Sequence, residues 1–251
     1  MSEKYPHLKN APIKEALIDI QVVLPTSFSI GDLKSTFLSK VSEKGFPSVQ
    51  GINQIEIQGG KAQDNLFSSS KETLLGYRFS NKDNTKVIQA RSNGYTFSHL
   101  QPYSRWDDFL EEAKLFWQIY CELTKPEKLT RLATRFINII DPIDSITTVQ
   151  NLGTVFKSAP TLPPLLPSKL ENCFSRFVVS EETQGFTTII TQAFEHTEPG
   201  KDHVVLDIDV FKEFPNGVED KQIWAVLAKM RDQKNQVFFE CLSEKVIERF
   251  K

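Results

Sequence analysis

With 251 residues, 39% of them hydrophobic and 25% charged, the chain buries enough apolar surface to fold as one large domain or as two of about 125 residues, so disorder of the whole and a need for disulfide or metal staples are excluded. Thirty basic side chains against 32 acidic ones leave a net charge of -2, without the basic footprint that most nucleic-acid binders carry. Cys121, Cys173 and Cys241 lack paired spacing and read as buried thiols of a reducing compartment. The polar first ten residues hold no apolar leader core and no segment reaches the roughly 18 apolar residues of a membrane span, so the cytoplasm is the expected location and no membrane partner is expected.

Ala16 to Leu24 alternates Ala16, Ile18, Ile20 and Val22 against Leu17, Asp19 and Gln21, which predicts a half-buried strand. After Pro25, Ser29 is placed to cap a helix whose Leu33, Phe37, Leu38 and Val41 form one stripe ending at Gly45. Ile52 to Gln58, Leu74 to Ser80 and Lys86 to Leu100 read as three further strands. The last is broken at Asn93-Gly94, a dipeptide suited to tight hairpins, and the short connections predict antiparallel pairing. From Ser104 a helix carries Trp106, Phe109, Leu110, Ala113, Phe116, Trp117 and Tyr120 on one wide face, expected to cover the sheet.

Leu129 to Ile140 is a second β-rich run, followed by a helical stretch over Ser145 to Phe156. Ser158 to Ser168 holds Pro160, Pro163, Pro164 and Pro167 and reads as an extended loop; its PxxP spacings also suit a partner's aromatic groove, the less favoured reading. Cys173 to Val179, Phe186 to Phe194 and Val204 to Phe211 read as strands, punctuated by Gln184-Gly185 and Pro199-Gly200, before a closing helix from Glu219.

This element order predicts the α+β class and a tandem duplication of a β-α-β-β-β-α, helix-grip-like unit. The expected units are residues 1–125 and 126–251, or one continuous domain. Two long helices are expected on one side of the antiparallel sheet or sheets, with a groove opposite, an architecture that by analogy hosts binding more often than chemistry. In the last helix Ile223, Leu227, Met230, Val237, Phe238, Cys241 and Leu242 form an apolar stripe that the polar run Arg231 to Gln236 interrupts. The run is either a loop or hinge, or it stays helical and sets Arg231 and Asn235 one turn apart along a polar groove or interface. A single helix from Asp220 to Phe250 would span roughly 45 Å, longer than such a unit covers, so part of it is expected to serve a homodimer.

The segments Asn10 to Ala16, Phe97 to Trp106 and Thr134 to Ile139 resemble signature blocks of a sporadically distributed family of bacterial proteins of about 250 residues. The likeness is strongest over the first 140 residues, with Asn235 to Phe239 as its counterpart in the last helix. It implies no activity. It singles out Pro12, Glu15, Tyr103, Trp106, Arg135, Asn138 and Asn235.

Glu15 and Arg135 lie in strands that the duplication would relate, and a structural ion pair between the units is the favoured reading over a ligand-facing one. Strand alternation sends Asn138 to the face opposite Arg135. Asp207 and Asp209 share a strand face and could together hold Mg²⁺, although no phosphate loop precedes them and a solvated sheet face is the favoured reading of the pair. His196 and His203 flank a Pro-Gly turn, His7 and His99 are isolated, and none has zinc-ligand spacing. Gly59-Gly60-Lys61 lacks the rest of a phosphate loop and reads as a turn, and no serine sits in a GxSxG elbow.

The leading expectation is a non-enzymatic module without a cofactor, binding a small molecule or a protein through Glu15, Tyr103, Trp106, Arg135, Asn138 and Asn235. The alternative is a metal-dependent enzyme acting on a phosphorylated or nucleotide substrate through Asp207 and Asp209. A third reading, prompted by the sporadic distribution of the resembling family, is a component of a bacterial defence or toxin-neutralising system.

Overall fold

The structure, a computed structural model, describes residues 5–62, 65–142, 145–163, 169–198 and 201–251. In chain order its elements are β1 (Ile13–Val23), α1 (Ile30–Ser42), β2 (Ser48–Ala62), β3 (Asn65–Ser80), β4 (Lys86–Arg91), β5 (Gly94–Leu100), α2 (Trp106–Thr124) and β6 (Lys128–Ile140). They continue with α3 (Val149–Leu152), β7 (Asn172–Glu181), β8 (Phe186–Glu198), β9 (Lys201–Glu213), α4 (Asp220–Cys241) and α5 (Glu244–Glu248).

The alternation that predicts the first strand also positions it. Ala16, Ile18 and Ile20 are fully buried, and β1 sits in the middle of one antiparallel sheet of order β2-β3-β4-β5-β1-β6-β9-β8-β7. One register row crosses seven of these strands through Phe79, Ile88, Phe97, Ile18, Thr134, Val210 and Thr188, each at most 1% exposed. Side chains on opposed residues point to the same face, so this row is the side on which the helices pack. Phe37 of α1 meets Phe79 at 4.8 Å between ring centroids, Phe109 of α2 meets Phe97 at 5.5 Å, and α4 crosses β6 and β9. Trp117 Nε1 donates to Asp220 Oδ1 at 2.7 Å and ties α2 to the start of α4.

The tandem helix-grip duplication is corrected. Among the described residues a single nine-stranded sheet runs through both halves of the chain, with five strands before α2 and four after it, so the halves do not repeat a common unit. Hydrogen bonding of β6 along the free edge of β1 fuses them. The cover of two long helices becomes five helices, from 4 to 22 residues long, because α1 must shield the outer strands β2 and β3 that α2 does not reach.

Other elements differ locally. The helix expected over Ser145 to Phe156 shrinks to the single turn α3, where Thr148 and Asn151 form a reciprocal capping box and Gly153 follows. Gly59-Gly60-Lys61 is not a turn; its backbone continues β2 opposite Leu66 to Ser68. Pro164, Pro167 and the Pro199-Gly200 turn lie outside the described residues, as does the His196 side chain. The last helix stops at Cys241. Leu242 turns extended and bridges Phe156 before the short α5, so the roughly 45 Å helix is not formed.

The hairpin between β4 and β5 turns on Ser92 and Asn93, and Gly94 opens β5. A Cβ on Gly94 would stand 2.5 Å from the Ile20 carbonyl oxygen, so close approach of β1 is what requires glycine there. Gly94→Ala is expected to cost about 1–3 kcal/mol in urea unfolding, since backbone on the central strand must give way. No described helix is long and apolar enough to cross a membrane.

Candidate functional site

A pocket of about 830 Å³ opens on the helix-bearing side, where β1 and β6 meet beneath the start of α2 and the middle of α4. Ile13, Phe136 and Asn138 form its floor, Tyr103 and Trp106 one wall, and α4 from Lys229 to Phe239 the other. The segment before β1 closes one end, with Tyr5 stacked on Phe239 at 4.7 Å between ring centroids.

Continuity of α4 decides what lines the pocket. The run Arg231 to Gln236 stays helical, and the inward stripe Ile223, Leu227, Met230, Val237 and Phe238 passes through Lys234. That side chain therefore enters the protein where a helix of this kind ordinarily buries a hydrophobe. Lys234 is 9% exposed, its Nζ stands 3.8 Å from the centroid of the Phe136 ring, and no described residue accepts a hydrogen bond from it. A ring face is worth about 0.5–2 kcal/mol to an ammonium, less than the several kcal/mol that burial of a charge costs. Burial, helped by repulsion from Arg231, accordingly pulls the amine down from the ordinary 10.5 to about 7.

Of the uncharged polar groups that line the pocket, Asn138 and Tyr103 are set into its floor and wall. Asn138 is 1% exposed and spends its amide N–H groups on the carbonyls of Phe136 and Leu206, at 3.3 and 2.9 Å, while its Oδ1 receives no hydrogen bond from a described residue. The Tyr103 ring packs between His99, Phe109 and Phe136, and burial raises its phenol, keeping it a neutral hydrogen-bond donor. The basic side chains Arg105, Lys229 and Arg231 outnumber the carboxylates Asp107 and Asp232 on the pocket wall even without Lys234. The amide groups of the first turn of α2 add positive potential at the same end.

The opposite face of the sheet carries a second polar cluster. Asp19 Oδ2 accepts from Arg91 Nη2 at 2.6 Å and from Thr96 Oγ1 at 2.7 Å, and its Oδ1 accepts from Arg131 Nη1 at 3.2 Å. Arg135 grips Asp207 with two parallel bonds of 2.9 and 2.6 Å, which raises the guanidinium pKa further. Asp209 lies 3.9 Å from Arg131 Nη2, and burial raises its carboxyl above the usual range against the pull of Arg131 and Arg135.

Of the residues singled out by sequence, Tyr103, Trp106, Asn138 and Asn235 meet on the pocket, while Glu15 and Arg135 lie on the other face. The Glu15–Arg135 ion pair is replaced by Arg135–Asp207, with Glu15 a weaker electrostatic neighbour of the guanidinium. That pairing also engages both oxygens of one of the two aspartates proposed to hold a metal. Among the described residues no three His, Cys, Asp or Glu side chains converge. The cysteines are half-buried rather than buried, and desolvation raises all three, Cys121 to about 12. Sequence reading missed Lys234, although its spacing of four from Met230 and three from Val237 marks it as an inward position.

No protein-family model matches this chain, and no curated protein matches it.

Proposed function

We propose that this is a small-ligand-binding protein, that its site is the pocket between α2 and α4, and that its ligand joins an apolar body to an anionic group. The observation that carries this reading is Lys234, nine-tenths buried at the pocket and without an acceptor among the described residues. Its amine meets a ring face and the open pocket rather than a polar partner, and a ligand atom in the pocket supplies what the described residues do not. Trp106, Phe136 and Phe238 offer an apolar bed, and Arg231 offers a permanent charge beside it. Pro12, Glu15 and Arg135, which the family resemblance also singles out, belong to the scaffold in this reading. The metal-dependent alternative has no observation in its favour, since Asp207 already holds Arg135.

The probe is 8-anilinonaphthalene-1-sulfonate, an aromatic body with a sulfonate, titrated by calorimetry. Saturable one-to-one binding is expected, weakened about 5- to 10-fold in Arg231→Ala, which removes one partly exposed charge contact. Binding that is non-saturable, or equal in the two proteins, would count against a built anionic site.

A further inference from the structure

We propose that Lys234 captures the carbonyl carbon of an aldehyde or ketone ligand as an imine, so that the ligand class of the pocket is a carbonyl compound bearing an anionic group. This rests on the pocket being the ligand site.

The argument begins from the division of labour among the pocket's cations. Arg231, 3.9 Å from Asp232, and Lys229 sit nearer solvent on α4 and are the cations placed to meet an anion. Lys234 alone of them occupies the inward stripe, above the face of Phe136 and with no carboxylate or carbonyl among the described residues to accept a hydrogen bond from it. That surrounding lowers the amine to about 7, so that near neutral pH a large share of it is uncharged, with a lone pair on nitrogen. A neutral amine in a pocket does what an ammonium cannot, which is to attack an electrophilic carbon. Its Nζ also borders open space, for it is not among the buried polar atoms that lack a partner, and Lys234 lines the cavity.

The step balances within the pocket. The nitrogen lone pair adds to the carbonyl carbon, one amine proton passes to the former carbonyl oxygen, and loss of that oxygen as water with the second amine proton leaves the C=N bond. No oxidant or reductant is consumed. The Tyr103 hydroxyl, which hydrogen-bonds no described residue, is a donor for the carbonyl oxygen, and Asn138 Oδ1, which receives no hydrogen bond from a described residue, can accept one from an amine N–H and so orient the nitrogen without taking its proton. Arg231 beside them holds the ligand's anionic group.

The test treats the full chain with glyoxylate and sodium cyanoborohydride at neutral pH, then maps carboxymethylated peptides by mass spectrometry with the chain's α-amino group as internal reference. Lys234 is expected to be labelled about tenfold or more ahead of the exposed lysines, whose amines are almost wholly protonated. Excess 8-anilinonaphthalene-1-sulfonate is expected to suppress labelling at Lys234 alone, and Lys234→Met to lose that adduct while the others persist. Labelling spread over the exposed lysines and absent at Lys234, with the sulfonate still bound in an Arg231-dependent way, overturns imine capture and leaves the ligand pocket standing. Neither labelling at Lys234 nor sulfonate binding overturns both. Labelling at Lys234 without sulfonate binding retains the reactive amine and removes the amphipathic anion as the ligand class.

Discussion

Asp19→Ala is expected to destabilise the chain by about 3–5 kcal/mol, the range found when one partner of a buried ionic cluster is removed. Asp19, 13% exposed in its side chain, accepts from Thr96 and from Arg91 and Arg131, the arginine side chains being 17% and 20% exposed. Truncation leaves two largely desolvated cations on either side of β1: Arg91 keeps only the neutral acceptors Gln89 Oε1 at 3.1 Å and Thr96 Oγ1 at 2.8 Å, and Arg131 an Asp209 oxygen at 3.9 Å and the Phe211 ring at 4.6 Å. Asp19→Asn keeps shape and one acceptor and is expected to lose roughly half as much. Urea unfolding measures both. A loss under about 1 kcal/mol in the alanine variant would mean that water screens the cluster as it does a surface pair.

Lys234→Met should move stability the other way, by about 2–4 kcal/mol at neutral pH. The shift from 10.5 to about 7 corresponds to at most about 5 kcal/mol, and water in the pocket softens it. The folded chain binds this proton more weakly than the unfolded chain does, so the penalty is complete below about pH 7. It is relieved as pH rises from there toward 10.5, and the wild type gains stability from this group across that window. The methionine variant lacks that rise. Unfolding at about pH 6 and about pH 9.5 therefore distinguishes them: a gain from the substitution that is large at the lower pH and small at the higher one is the expected pattern. A gain equal at both would assign the effect to packing rather than to charge. Arg231, Lys229, Arg105, Asp107 and Asp232 also line the pocket, so Arg231→Ala is the companion variant, expected to narrow the window by raising the Lys234 pKa.

The strands β1 and β6 and the helix α2 were legible because each obeys a local period: alternate residues of Ala16 to Val22 point inward, and Trp106 to Tyr120 form one broad stripe. What period cannot carry is register between distant strands. Arg135 finds Asp207 because β6 and β9 align Ile137 opposite Asp207 and bring Arg135 onto the diagonal, an offset fixed 72 residues away in the chain. The same limit hid the β1–β6 pairing that makes one sheet of the two halves. Four pocket residues were named from a likeness of short blocks, yet the pocket itself went unseen. Lys234 was read as part of a polar interruption, when a charged residue at a core position of an unbroken stripe is the unusual observation.

The central place of β1 also sets an order of events as the polypeptide emerges from a ribosome. One of its edges is paired once β5 has been made, but the other waits for β6, beyond the whole of α2. Until then a nascent chain displays an extended strand with a bare hydrogen-bonding edge and the alternating Ile18, Ile20 and Val22 beside it, the kind of template on which chains pair with one another. Arrest of translation before Leu129 would leave fragments with that edge uncovered, and chaperone capture of such fragments, ending when β6 is appended, is where the cell would meet this topology.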